Sequence, residues 1–389
     1  MSFLKRIFGG KAEQASGIQN DNVSICNSEQ ELVEEQGGIA NTQTEPCVQQ
    51  TIEQRQSFDS LVYTYKNLTI FLIQGEDTLS RNYLTLEEAM KQQKITLHET
   101  GNVGELSVDN TSSDYVFIMA GDIVKGGRQD RTIGEDIVLS PGSKKVALKS
   151  FCVEQSRWGS RGSESAAEFS SSEYMLANRT LKIAAREERS QGKVWDEVDN
   201  YQTRASRQAN DEVRSRTSPT SLQLTLEDEK VKSSIAEYVN VLQSAFEDKK
   251  DVLGFAFFIN GQISTVETFG NASLFGKLQK KLLEAAASEA FEQYDESLKF
   301  DTPTFSALQT FMEMAENGKE TVRQTSAYMM EYTKKTECSI LLRSVNTDAG
   351  MAALHTSIYS TEGLSTTNGN NDSGYQYGGR QRNINRMMR

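Results

Sequence analysis

The chain has 389 residues, with 42 Lys plus Arg against 54 Asp plus Glu, a formal net charge of −12 at pH 7. That balance argues against a dedicated nucleic-acid binder or a protein of anionic membranes, whose footprint is basic. Only 37% of the residues are hydrophobic and 8% aromatic, so a substantial part is expected to be tail or solvated helix, and no apolar run reaches the roughly 18 residues a spanning helix needs.

The chain opens MSFLKRIFGG, where Lys5 and Arg6 interrupt the apolar residues and no leader-like apolar core follows. This predicts a cytoplasmic protein without membrane contact. Residues 1–56 are rich in glutamine and acids and poor in clustered apolar side chains; they cannot bury enough surface to offset their ordering entropy and read as a disordered tail. Residues 361–389, rich in Gly, Asn, Ser and Thr and ending with Arg380, Arg382, Arg386 and Arg389, read as a second tail.

Residues 57–360 carry the folded pattern. Apolar runs from Leu61 to Ile73 and from Tyr115 to Val124 end at Gly or charged residues, which predicts buried strands. Further strands are expected at Ile95 to Glu99, Asp136 to Leu139 and Val146 to Val153, the last two joined by a turn at Ser140-Pro141-Gly142-Ser143. Short turns between successive strands imply an antiparallel β domain. A helical block follows. Val194, Val198, Tyr201, Ala205, Ala209 and Val213 form a one-sided stripe surrounded by charge, the mark of a surface helix. Ile235, Tyr238, Leu242 and Phe246 mark a second helix, and Leu274, Leu278, Leu282, Ala286, Ala290 and Tyr294 a third. Between them, Asn260-Gly261 separates two apolar runs and predicts a tight hairpin, because a primed turn needs two positive φ angles. Cys338 to Leu342 and Ala353 to Tyr359 are expected to complete a sheet. The fold class is therefore α+β: an antiparallel β-rich domain with packed amphipathic helices.

Four cysteines without a CxxC spacing and two histidines give no metal-ligand pattern, so neither a metal nor a cofactor is expected. Two segments could carry chemistry. The first is AGDIVKGGRQDR, Ala120 to Arg131. Gly126 and Gly127 permit the backbone conformations of an anion-holding concavity, Arg128 and Arg131 could add forked donors, and Gln129 and Asp130 lie between them. The plain alternative is a glycine bulge in a hairpin, with Arg131 paired to a neighbouring acid. The second is CVEQSRW, Cys152 to Trp158, which sets the acid Glu154, the cation Arg157 and the ring of Trp158 within one short loop, suited to a phosphorylated ring-bearing ligand. Here the alternative is that Trp158 caps the core and Glu154 bridges to Arg131. Cys152 alternates with Val153 and reads as a packed apolar residue, and His98 as a satisfied sheet residue.

These motifs, with TLEEAMKQQKITLHETG and GELSVDN before them and GFAFFINGQISTVETFG after, make the chain resemble the bacterial domain family named for association with ARG and rhodanese-phosphatase-superfamily proteins. The resemblance spans about residues 60–345. Its matching positions here are Glu99, Glu105, Asn110, Gly121, Gly126, Gly127, Gln129, Arg131, Cys152, Glu154, Arg157 and Trp158. Asp130 departs from a usual Asn and Gln279 from a Trp. The resemblance implies a nucleotide or ADP-ribose link by association alone, and no reaction.

Three functions remain open at this level. The leading one binds a small anionic, ADP-ribose-like ligand at Gly126, Gly127, Arg128, Gln129 and Arg131, with Glu154 and Arg157 orienting and Trp158 stacking. The second is a hydrolase using Glu154 or Asp130 as general base. The third is a non-enzymatic interaction protein that recruits partners through the charged helix near Trp195 and the two tails.

Overall fold

The structure, a computed structural model, describes residues 61–155, 157, 159, 168–172, 178–247 and 249–362. Segment 1–56, residues 363–389 and Trp158 lie outside these.

An eight-stranded sheet runs through the molecule. Its spatial order is β1 (Val62–Tyr65), β2 (Leu68–Gln74), β12 (Val252–Ile259), β13 (Gln262–Phe269), β17 (Ala353–Ser360), β16 (Ser339–Asn346), β15 (Met329–Lys335) and β14 (Lys319–Ser326), antiparallel throughout. The two-residue period of a strand divides its core between two faces. Leu68, Ile70, Leu72, Phe255, Phe257 and Ile259 face α6 (Ala272–Glu292) and its neighbours, while Phe71, Ile73, Ala256 and Phe258 face α7 (Phe305–Glu316). The turn between β12 and β13 has φ 51° at Asn260 and 79° at Gly261, as a primed turn requires.

A second, smaller β unit packs beside it. A six-stranded antiparallel sheet has the order β11 (Phe169–Ser171), β7 (Ile123–Gly126), β8 (Arg131–Ile133), β10 (Val146–Cys152), β5 (Glu105–Asn110) and β4 (Ile95–Glu99). A three-stranded sheet, β3 (Leu84–Thr85), β6 (Val116–Ile118) and β9 (Ile137–Leu139), contains one parallel pair, β3 with β6. Ile95, Leu97, Leu106, Val108, Val116 and Ile137 belong to the core of this unit. The helix α1 (Leu86–Lys91) starts at a capping box in which Thr85 and Glu88 satisfy each other's backbone N–H groups.

Four further helices lie between β11 and β12 in the chain. They are α2 (Arg179–Arg186), α3 (Gln191–Ala209), α4 (Leu222–Leu226) and α5 (Glu229–Leu242). The expected surface helix is α3, which buries Val194, Val198, Tyr201 and Ala205; it stops before Val213 because Asn210 adopts φ 48° and caps it. The run from Leu61 to Ile73 is a hairpin rather than one strand, since Lys66 turns the chain at φ 50°. Likewise Gly121, at φ 94°, splits the run from Tyr115 to Val124 into β6 and β7.

Candidate functional site

The sheet register brings the two expected motifs together. GGRQDR is the hairpin between β7 and β8, CVEQSRW leaves the end of β10, and β8 pairs with β10 so that Arg131 lies opposite Cys152. Two backbone bonds tie the loops: the Val153 N–H donates to the Asp130 carbonyl at 3.1 Å, and that of Gly159 to the Arg128 carbonyl at 3.3 Å. The Gln129 side chain closes the joint by donating to the Glu154 carbonyl at 2.7 Å.

Both arginines point inward. The Arg131 side chain is 0% exposed; it donates to the Val103 carbonyl through Nη1 and to Glu99 Oε2 at 3.3 Å through Nη2. The Arg157 side chain is 10% exposed and makes a fan of contacts. Its Nε donates to Glu154 Oε2 at 2.6 Å, Nη1 to the carbonyls of Gly159 at 2.6 Å and Gly127 at 3.3 Å, and Nη2 to Asp130 Oδ1 at 3.3 Å. One forked cation thus holds two loops and two carboxylates.

The protein itself takes up the N–H groups expected to hold an anion, each with a different acceptor: Gly126 donates to Asp130 Oδ1 at 3.0 Å, Gly127 to the Glu168 carbonyl at 2.9 Å and Arg128 to Glu99 Oε1 at 3.0 Å. Gly126 and Gly127 have φ 112° and 58°. A Cβ on the first would sit 2.4 Å from the Glu168 carbonyl oxygen, and one on the second 2.2 Å from the Phe169 ring. Close packing under β11 therefore demands glycine at both positions.

The carboxylates proposed as general bases are sequestered. Asp130 and Glu154 are fully buried; Glu154 Oε1 accepts from the Ser218 hydroxyl at 2.5 Å and Asp130 Oδ2 from Ser221 at 3.4 Å. Cys152 is buried, with Sγ 2.9 Å from Gln129 Oε1, and burial pushes its thiol up to about 11. The thiolate is the reactive form. Iodoacetamide at pH 8 is therefore expected to leave the Cys152 peptide unlabelled in the native chain and to label it in urea, as read by peptide mass spectrometry. His98 is an exposed sheet residue 3.3 Å from Asp109.

A second constellation went unread in the sequence. At the seam between the two β units, Lys182 and Arg186, one helical turn apart on α2, enter a cluster of acids. Arg186 donates to Asp136 Oδ2 at 2.8 Å, Glu331 Oε2 at 2.9 Å and Ser344 Oγ at 3.0 Å, and Lys182 to Glu267 Oε1 at 3.0 Å. His355 lies between Asp136, 2.8 Å from Nδ1, and Glu267, 2.9 Å from Nε2, with its ring stacked on Phe269 at 4.6 Å. Ser357 Oγ is 3.3 Å from the same Nε2. Those distances are those of a Ser-His-Asp relay, but the electrostatics are not. Glu267 occupies the face of the imidazole from which a base would take a proton, and Ser357 donates to that carboxylate at 2.6 Å. All these side chains are buried. The cluster joins β9's entry, α2 and four strands of the large sheet, and what it can do chemically is hold them in register.

The signs of its titrations follow. Burial would raise Asp136 and Glu267, but Arg186 and His355 hold the first well below the carboxylate range, and Lys182 and His355 hold the second at about 2. Burial would lower His355, and the two carboxylates outweigh it and raise it above 6.5. The imidazolium's stabilisation is therefore complete below pH of about 6.5 and is lost as pH rises through its raised folded value. Equilibrium unfolding of wild type and His355→Gln against pH should show a stability gap that is widest on the acid side of 6.5 and narrows with rising pH; a constant gap contradicts the charged clamp.

Among the described residues, no group of His, Cys, Asp and Glu could hold a metal ion, and no helix is long and apolar enough to cross a membrane. No curated protein and no solved structure matches the chain. The model of one family does match, over residues 59–357, a span that includes both arginine motifs and the Asp136–His355–Glu267 cluster. The chain belongs to the family of the ARG and Rhodanese-Phosphatase-superfamily-associated Protein domain.

Proposed function

We propose that this chain is a non-enzymatic interaction protein, in which the two arginine motifs serve the fold and partners are met elsewhere on the surface. One observation carries the reading: the guanidinium groups of Arg131 and Arg157 are held inside the joint by the carboxylates of Glu99, Asp130 and Glu154. Two cations against three carboxylates leave these groups with no excess positive charge, which offers an anion little attraction. The surface proposed for partners is the polar face of α3, where Lys193, Asp196, Asn200, Thr203 and Arg207 are exposed, together with segments 1–56 and 361–389. Calorimetric titration with ADP-ribose, NAD and nucleotides at millimolar concentration is expected to give no saturable heat, and Arg131→Ala to lower the melting temperature without altering any ligand response. Saturable binding that Arg157→Ala abolishes would overturn the reading.

A second reading keeps the small anionic ligand of nucleotide or ADP-ribose type. What favours it is the meeting of the two loops, in which Arg157 donates to the Gly127 carbonyl next to Arg128. A phosphate there would have to take the place of Glu99, whose two oxygens hold the Arg128 N–H and the Arg131 Nη2. Glu99→Gln should then raise affinity for ADP-ribose; unchanged heats would remove this reading. Hydrolysis through Asp130 or Glu154 ranks below both, because neither carboxylate reaches water.

A further inference from the structure

Among the described residues, strand β14 is the last in the large sheet, paired with β15 on one side. Its residues Lys319, Glu320, Thr321 and Val322 are exposed, Val322 at 48%. A long edge of this kind presents a row of backbone donors and acceptors ready to template another strand. We propose that the edge pairs antiparallel with β14 of a second copy of this chain, the two-fold axis passing through Val322.

The side-chain pattern admits that occupant and selects its register. Arg323 lies opposite Glu331 and donates to it at 2.6 Å, so odd-numbered positions of β14 face the buried charge cluster, and Glu320, Val322 and Gln324 face the other way. A two-fold axis perpendicular to the sheet keeps inner faces together only when facing residue numbers sum to an even value. Of the two registers that pair the strand most fully, one, over residues 320–326, centres on Arg323 and sets two guanidinium groups against each other. The other, over residues 319–325, centres on Val322. It places Val322 against its own copy, Thr321 against Arg323, Glu320 against Gln324 and Lys319 against Thr325, with no like charges opposed. The edge charges thus reject the alternative register without opposing pairing itself. The bulge between Gln324 and Ser326 lies beyond the central pairs. Contact limited to strand edges is of the small, weak class, so association should grow with concentration.

This inference goes beyond the partner reading above and stands whether or not other proteins bind. Sedimentation velocity of the full chain over a concentration series should show a monomer–dimer equilibrium that Val322→Lys abolishes while leaving the melting temperature unchanged. Mixing Val322→Lys with Val322→Glu should restore the dimer. Under mild oxidation Val322→Cys should give a covalent dimer above the wild-type background. Glu320→Cys should not, because its two copies would lie about 13 Å apart, four residues along the strands. A chain that stays monomeric at every concentration, as it would if one of its own segments or another protein covered the edge, overturns the proposal. So does a dimer that Val322→Lys leaves intact or that cross-links through Glu320→Cys instead.

Discussion

Replacing Arg186 by methionine is expected to destabilise the folded chain by about 3–5 kcal/mol, the usual cost of removing one partner from a buried ion pair. The methylene stem is kept, so the loss is one of charge. Asp136 and Glu331, both buried, would face each other's surroundings without the cation that bridges them at 2.8 and 2.9 Å. Urea unfolding at pH 7 measures the effect. The pair of changes Arg186→Met and Asp136→Asn should cost clearly less than the sum of the two singles, because the second removes one of the charges the first leaves uncompensated. A single-variant loss below about 1 kcal/mol, the range of an exposed pair, would mean that water reaches the cluster.

Arg157→Ala is expected to be of the same order, about 3–5 kcal/mol, since it abandons Asp130 and Glu154 together in a site that excludes water. Arg157→Lys should recover little. An ammonium group is a point donor and cannot reach the two carboxylates and the Gly127 and Gly159 carbonyls from one position, as the planar fork does. A lysine variant with wild-type stability would show that charge alone matters and that the fork geometry does not.

Much of the framework was legible in the sequence, and the reasons are local. The Asn260-Gly261 turn announces its hairpin because few other residue pairs accept two positive φ angles. The stripe from Val194 to Ala205 announces α3 because one buried face repeats every turn. What was missed lies where burial contradicts polarity. In α2, Lys182 and Arg186 are buried alongside Leu181 and Ile183, so the apolar stripe that would mark a helix is broken by charges that go inward. β14 and β15 carry Lys, Glu, Arg and Thr with little alternation, because β14 is an exposed edge and β15 directs Glu331 into the charge cluster.

The motifs were found, but their orientation was not. GGRQDR and CVEQSRW do meet, as two rim loops must if they form one site, yet a sequence cannot say whether a guanidinium points into solvent or into the protein. The partner that decides Arg131, Glu99, lies on β4, the far edge of the same six-stranded sheet, and acts across it. The Asp136–His355–Glu267 cluster was illegible for a similar reason: its members span more than half the chain, and each looks unremarkable in its own segment.

The most direct test of the joint is a double-mutant cycle in equilibrium unfolding between Arg157→Ala and Asp130→Asn, one side chain from each motif, 3.3 Å apart. If the two motifs lock the fold, the changes should couple by roughly 1–3 kcal/mol, as residues in one buried network do. Effects that add within about 0.5 kcal/mol would mean that the two side chains act independently, and would return the arginine to solvent and to a ligand.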